Sequence, residues 1–184
     1  MSKADDFDYE KLLSLLPRHK ILKPVDLSKA KLPIWRWPPL KSYNGFTSDE
    51  RIRTWQIGTY LLNIGAIKKP DQCDICKKVG PVGFHSENYY DIRMDPFLCK
   101  SCHTILHNRF KYPDQWNYLV NQNIEKVETW FSILIPTKVN LAKYIRLKFT
   151  KLEKSDRYFT ANIQQNSWLV QLESEPINYL ITQF

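Results

Sequence analysis

Every cysteine of this chain falls in one of two Cys-x-x-Cys pairs, Cys73 with Cys76 and Cys99 with Cys102. Two intervening residues let both thiolates of a pair sit on one tight turn and meet the same tetrahedral ion. Together the pairs make a complete four-thiolate set for a structural Zn2+. A filled coordination sphere leaves no position for water, so any chemistry belongs to another centre. Two structural disulfides are the alternative, and they would need a secretory route. Residues 1–10 are acidic and carry no apolar signal core, and no apolar run approaches the ~20 residues that span a bilayer. The expectation is a cytoplasmic protein with no membrane partner, its cysteines kept for metal.

Histidine supplies the candidates for a second centre. His103 and His107 follow directly on the second cysteine pair, and His85 lies between the pairs. Four residues apart, His103 and His107 share one face of a helix and both reach a single ion, while Cys102 just before them anchors that helix to the zinc. If the strand carrying Val82 and Phe84 ends opposite the helix, His85 completes an N-ligated divalent site with open positions for water and phosphate. The chain has 27 Lys plus Arg against 19 Asp plus Glu, a net charge of +8. That balance favours polyanions, nucleic acid first among them, although charge alone says nothing of fold.

Along the chain, residues 7–16 read as a short amphipathic helix with Leu12, Leu13, Leu15 and Leu16 on its apolar face and Pro17 stopping it. Residues 20–46 are proline-rich and read as an extended arm on the surface. Within it Trp35, Arg36 and Trp37 either stack on bases or pin the loop to the core. Thr47-Ser48-Asp49-Glu50 has the form of a capping box. It predicts a helix whose apolar face holds Ile52, Trp55, Tyr60, Leu61 and Ile64. Arg51 and Arg53, near the start of that helix, are candidates for phosphate contact. Pro113 opens a further helix carrying Trp116, Leu119 and Val120. Residues 124–135 continue as a second, more apolar one ended by Pro136. Alternation at Ile145, Leu147 and Phe149, and again at Trp168, Val170 and Leu172, predicts strands.

Taken in order, Cys73-Asp74-Ile75-Cys76, then Val82-Gly83-Phe84-His85-Ser86, then Cys99-Lys100-Ser101-Cys102-His103 with His107 resemble the zinc-containing branch of the HNH nucleases. The resemblance covers residues 70–110. It implies a ββα-metal core: a knuckle, a hairpin whose first strand ends in histidine, a loop, and a helix with further metal ligands. It also implies a catalytic Mg2+ or another divalent ion on His85, His103 and His107, and DNA as substrate. In the members most similar to this chain two adjacent histidines end the first strand, the second acting as general base. Here Ser86 stands at that place, and serine near neutral pH is not a competent base. Either His85 takes the base role, or another residue supplies it, or catalysis is lost. Glu87, Asn88 and Asp91 are close enough in sequence to serve as ligands or water-positioning groups, though such acids are most often solvated. Arg109, with Asn108, caps the helix or binds a phosphate.

These readings combine into an α+β protein. Residues 1–69 hold the first helix, the arm and the long helix. Residues 70–111 form the zinc-stabilised ββα-metal core, and residues 112–184 carry helices and a C-terminal β-rich extension. The expected activity is metal-dependent hydrolysis of DNA phosphodiester bonds, of restriction or phage type. Cutting both strands would take two centres, hence a homodimer. The alternative is a zinc-knuckle DNA-binding protein without catalysis, for which Ser86 speaks.

Overall fold

Short-range signals decide where most helices begin. The computed structural model describes residues 7–23, 25, 30–125 and 128–153, which form a small mixed α/β protein with six α-helices and a two-stranded sheet. The helices are α1 (Tyr9–Leu15), α2 (Ser48–Asn63), α3 (Lys100–His107), α4 (Pro113–Asn123), α5 (Trp130–Ile133) and α6 (Leu141–Glu153). The strands are β1 (Val82–Phe84) and β2 (Phe97–Cys99). None of these helices is long and apolar enough to cross a membrane.

The chain divides into two compact units, each drawn from separated stretches of sequence. One comprises residues 1–18, 69–85 and 95–139, and so holds α1, the hairpin, α3, α4 and α5. Asp8 caps α1 by accepting the Lys11 amide at 2.9 Å, and Leu12, Leu13 and Leu16 turn inward. α1 packs against α5, whose Trp130 and Phe131 are buried. α4 begins with Pro113, whose missing N–H costs nothing at a first helical position. Its Trp116 is buried and donates its indole N–H to the Leu134 carbonyl at 2.8 Å, so the large ring is enclosed with its polar atom satisfied. α4 also packs on α3, the helix that carries His103 and His107.

The other unit comprises residues 19–68, 86–94 and 140–184. Asn44 and Gly45 have φ of 50° and 82°, and Tyr43 and Phe46 exchange both backbone hydrogen bonds at 3.1 and 2.9 Å. This is the mirror-image tight turn that Asn-Gly favours. The Ala142 amide of α6 donates to the Asn44 carbonyl at 3.0 Å, so the turn seats the start of that helix. The predicted capping box is present: Thr47 Oγ1 accepts the Glu50 amide at 3.3 Å and Glu50 Oε2 accepts the Thr47 amide at 2.7 Å. Glu50 Oε1 also accepts from Tyr90 Oη and from Arg146 Nη2, the latter at 2.6 Å.

Three expectations need correction. Residues 145–149 lie in α6 and form no strand. Leu141, Ala142 and Ile145 are buried at helical spacing while Leu147 is 55% exposed, so the alternation did not report two faces of a sheet. The β-rich extension is therefore absent over the described residues, and Trp168, Val170 and Leu172 lie outside them. The apolar helix expected over 124–135 is the single turn α5, since Ile124 is exposed and the cap at Thr129 starts the helix late. In α2 the inward face holds Thr54, Ile57, Gly58 and Leu61, rotated from the expected Trp55 and Tyr60. Thr54 Oγ1 turns it that way by donating to the Tyr89 carbonyl at 2.7 Å.

At Gly45 a Cβ would lie 1.9 Å from Asn140 Oδ1, the atom that accepts the Lys143 amide at the start of α6. Gly45→Ala is expected to cost about 2–4 kcal/mol, the sum of left-handed strain and displacement of that cap, read as a lowered urea midpoint with an unchanged slope. Glu50 gives a pH signature. Burial raises its pKa, but hydrogen bonds from Tyr90, Thr47 and Arg146 outweigh that and hold it below the ordinary 4.5. A depressed carboxylate contributes stability in full above its unfolded value and loses it as pH falls through the folded one. Urea unfolding from about pH 5 down to about pH 3 should show stability falling, and Glu50→Gln should flatten part of that fall.

Candidate metal centres

The first knuckle is a closed turn. Cys73 N–H donates to the Lys78 carbonyl at 3.1 Å, and Lys77 N–H returns to the Cys73 carbonyl at 2.9 Å. Lys77 takes a left-handed φ of 56°, which folds the chain back so that both thiols of the pair face one side. Asp74, inside the pair, ties the knuckle to β2 on both sides of one residue. Its backbone N–H donates to the Phe97 carbonyl at 2.8 Å, and its Oδ2 accepts the Phe97 N–H at 2.6 Å.

That clamp sets where the second pair arrives. β2 ends at Cys99, which is the N-cap of α3, and Cys102 lies in the first turn of the helix. Cys76 Sγ and Cys99 Sγ are 3.8 Å apart, and all four sulfurs lie within 4.8 Å of one another. Two thiolates on one tetrahedral zinc, each about 2.3 Å from it, are separated by about 3.8 Å. The donor set and its spacing are compatible with a structural zinc. Crowding already perturbs the thiols: the hydrogen bond from Cys102 holds Cys73 down at about 4, while the same contact and burial push Cys102 up. One thiolate is thus supported by its neighbours and further ones are opposed, a repulsion that a divalent cation removes.

The histidines form a separate cluster in the same unit. β1 and β2 pair antiparallel with Val82 opposite Cys99 and Phe84 opposite Phe97. His85 extends the ladder by one step, its N–H donating to the Pro96 carbonyl at 2.8 Å. α3 leaves β2 with Cys102 and Leu106 buried, which puts His103 and His107, one residue on from each, together on the adjoining face of the helix. His85 Nδ1 lies 3.2 Å from His103 Nε2, and His107 Nε2 lies 3.0 Å from the same atom. Two nitrogens bound to one ion, each about 2.0–2.1 Å from it, are separated by about 3.0–3.4 Å. His85 is 2% exposed, whereas His103 on α3 is only half-buried. Three imidazoles fit a divalent ion and leave coordination positions over for small ligands.

The other candidates are placed differently. Glu87 is fully buried, accepting from Tyr43 Oη at 2.6 Å and from Asn44 Nδ2 at 2.5 Å. Asp91 is buried and takes a bidentate pair from Arg93 at 2.8 and 2.5 Å, and buried Asn88 accepts the Tyr90 amide at 3.0 Å. The expectation of solvated loop acids is thereby corrected: these side chains shape the segment 86–94 from within. Ser86 is buried as well. Arg109 is 1% exposed, with Nη1 on the Leu106 carbonyl at 3.1 Å and its guanidinium 4.3 Å from the Phe110 ring centre. It closes the end of α3, and its burial leaves no surface for a phosphate. Arg51 lies 5.4 Å from the ring centres of both Tyr43 and Tyr89 and donates to Tyr89 Oη at 3.1 Å. Arg53 is half-buried, and burial lowers its pKa. Trp35 donates its indole N–H to the Pro38 carbonyl at 3.2 Å, and Arg36 stands exposed. Sequence reasoning missed Asp74. An acid between two knuckle cysteines carries no signal until its partner strand is known.

The site is thus of a recognisable kind: a four-cysteine cluster and a three-histidine cluster that both suit metal, held on a hairpin and the helix that follows it. No family model matches the chain, and no curated protein or solved structure matches it significantly.

The two clusters predict separable metals. Elemental analysis should find about one tightly held zinc per chain. Cys76→Ser should release it and lower the thermal midpoint, whereas His103→Ala should leave it in place.

Proposed function

We propose that the protein is a metal-dependent DNA endonuclease of the zinc-containing HNH class, with β1, β2 and α3 as its ββα-metal core. The observation that carries this reading is the convergence of His85, His103 and His107 on one point beside a separate cysteine cluster. A divalent ion held there would supply Lewis-acid charge to a phosphoryl oxygen and its leaving group. The chain's own contribution is positional. The ladder bond from His85 to Pro96 fixes the end of β1, and the buried Cys102 and Leu106 fix the roll of α3. The three imidazoles are therefore set before any ligand arrives, which is what makes such a site effective. The net charge of +8 supports a polyanionic substrate. Cleavage of both strands would be the work of a homodimer.

A second reading, a DNA-binding protein that keeps the zinc and has no catalysis, is favoured by one observation. Ser86 follows His85 where a base is wanted, and the nearby acids Glu87 and Asp91 are already hydrogen-bonded to Tyr43, Asn44 and Arg93. Under the nuclease reading either His85 completes the ion's ligands and another residue supplies the base, or His85 takes the proton itself and His103 with His107 hold the ion.

Supercoiled plasmid incubated with magnesium, manganese or nickel separates the two. The nuclease should nick or linearise it, and His85→Ala and His107→Ala should each lower the rate by more than about 100-fold with zinc content unchanged. Intact plasmid together with salt-dependent binding that survives both substitutions would establish the second reading.

A further inference from the structure

Trp37 is 58% exposed and Ile34 is 72% exposed, whereas the neighbouring Trp35 is half-buried. An exposed indole is costly to leave in water, and here the exposure is not the result of a loose chain. Trp37 makes edge-to-face contacts with Trp35 and Trp55, at centroid separations of 4.9 and 5.5 Å, and Trp35 meets Trp55 at 5.1 Å. The segment is tied to α2 by Gln56, which donates to the Pro33 carbonyl at 2.9 Å, and Trp35 is tied to Pro38 through its indole N–H. Trp35 and Trp55 therefore act as a mount, and Trp37 is the ring they hold out. The mounted ring has lost its freedom before any partner binds, so a flat partner meets little entropic cost.

Charge indicates the partner. Residues 30–46 contain Lys31, Arg36 and Lys41, all exposed, and no acidic residue. A fixed aromatic ring among cations with no opposing acid suits a strand that offers unstacked bases and phosphates together. Paired bases inside a duplex present their edges and keep their faces to one another, so the ring favours an unpaired strand.

We infer that Trp37, on its Trp35 and Trp55 mount and beside Arg36, is a stacking platform for single-stranded nucleic acid. This deepens the proposed function, on which it rests for nucleic acid as the partner, by naming an unpaired strand as the form bound. Its test reads binding alone, so loss of cleavage in the histidine variants leaves it standing.

The experiment is fluorescence anisotropy of the full chain with a labelled thymidine oligonucleotide and with a hairpin duplex of equal length, zinc retained and no other divalent ion added. The single strand should bind more tightly. Trp37→Ala should weaken it by roughly five- to a hundredfold while leaving the duplex unchanged, and Trp37→Phe should restore most of the loss. Arg36→Gln should reduce the salt dependence of single-strand binding by about one ion. Unchanged single-strand affinity in Trp37→Ala, or an equal loss with Trp37→Phe, would overturn the inference. So would a Trp37→Ala defect confined to phosphatidylglycerol vesicles, which would make the ring a membrane anchor instead.

Discussion

Two thiol pairs from distant parts of the chain must arrive within reach of one ion, and the rest of the first unit follows from how that is done. Asp74 fixes the knuckle to β2 through both a backbone and a side-chain hydrogen bond to Phe97. Because β2 runs straight into α3, placing Cys99 beside Cys76 also places the start of the helix. The roll of α3 is then set by burial of Cys102 and Leu106, and the direction of His103 and His107 is a consequence. One register thus governs both clusters. A shift of a single residue between β1 and β2 would turn alternate side chains to the opposite face and move His85 off its station beside Pro96.

The second unit is organised by buried polar groups. Glu87 accepts from Tyr43 and Asn44, and Asp91 holds Arg93. Glu50 serves the capping box, Tyr90 and Arg146 at once. Each of these carboxylates has its charge met by donors, long-range ones for Glu87 and for Glu50 at Oε1 and the neighbouring Arg93 for Asp91, the condition under which buried acids are tolerated. The Asn44-Gly45 turn and the Thr47 cap lie within a few residues of one another. The path from the arm into α2 is therefore set by local geometry. On the proposed function, the same unit would present the tryptophan mount to the substrate strand.

Signals that act over one helical turn or one tight turn were readable directly. The Cys-x-x-Cys spacing, the four-residue step from His103 to His107, the capping box at Thr47 and the proline opening α4 each depend on geometry that a few consecutive residues impose. The pattern at 145–149 misled because apolar alternation over five residues fits a strand and also fits a helix whose far side is left partly apolar. Trp35 and Trp37 look alike in sequence and both meet Trp55 on α2, yet Trp35 is half-buried with its indole N–H bonded to Pro38 while Trp37 is exposed.

By itself the sequence determined the donor sets: four thiols in two pairs, two imidazoles on one helix face, and a third imidazole between. Donor type and short spacing are local properties, and metal chemistry constrains both tightly. Only the tertiary structure decided that His85 reaches the other two, that Glu87 and Asp91 are interior acids, that Arg109 is buried against a carbonyl and an aromatic ring, and that half-buried Arg51 lies beside two tyrosine rings. Convergence and burial depend on strand register and on partners tens of residues away, and a charged side chain reads the same in sequence whether water or a hydrogen-bond partner solvates it.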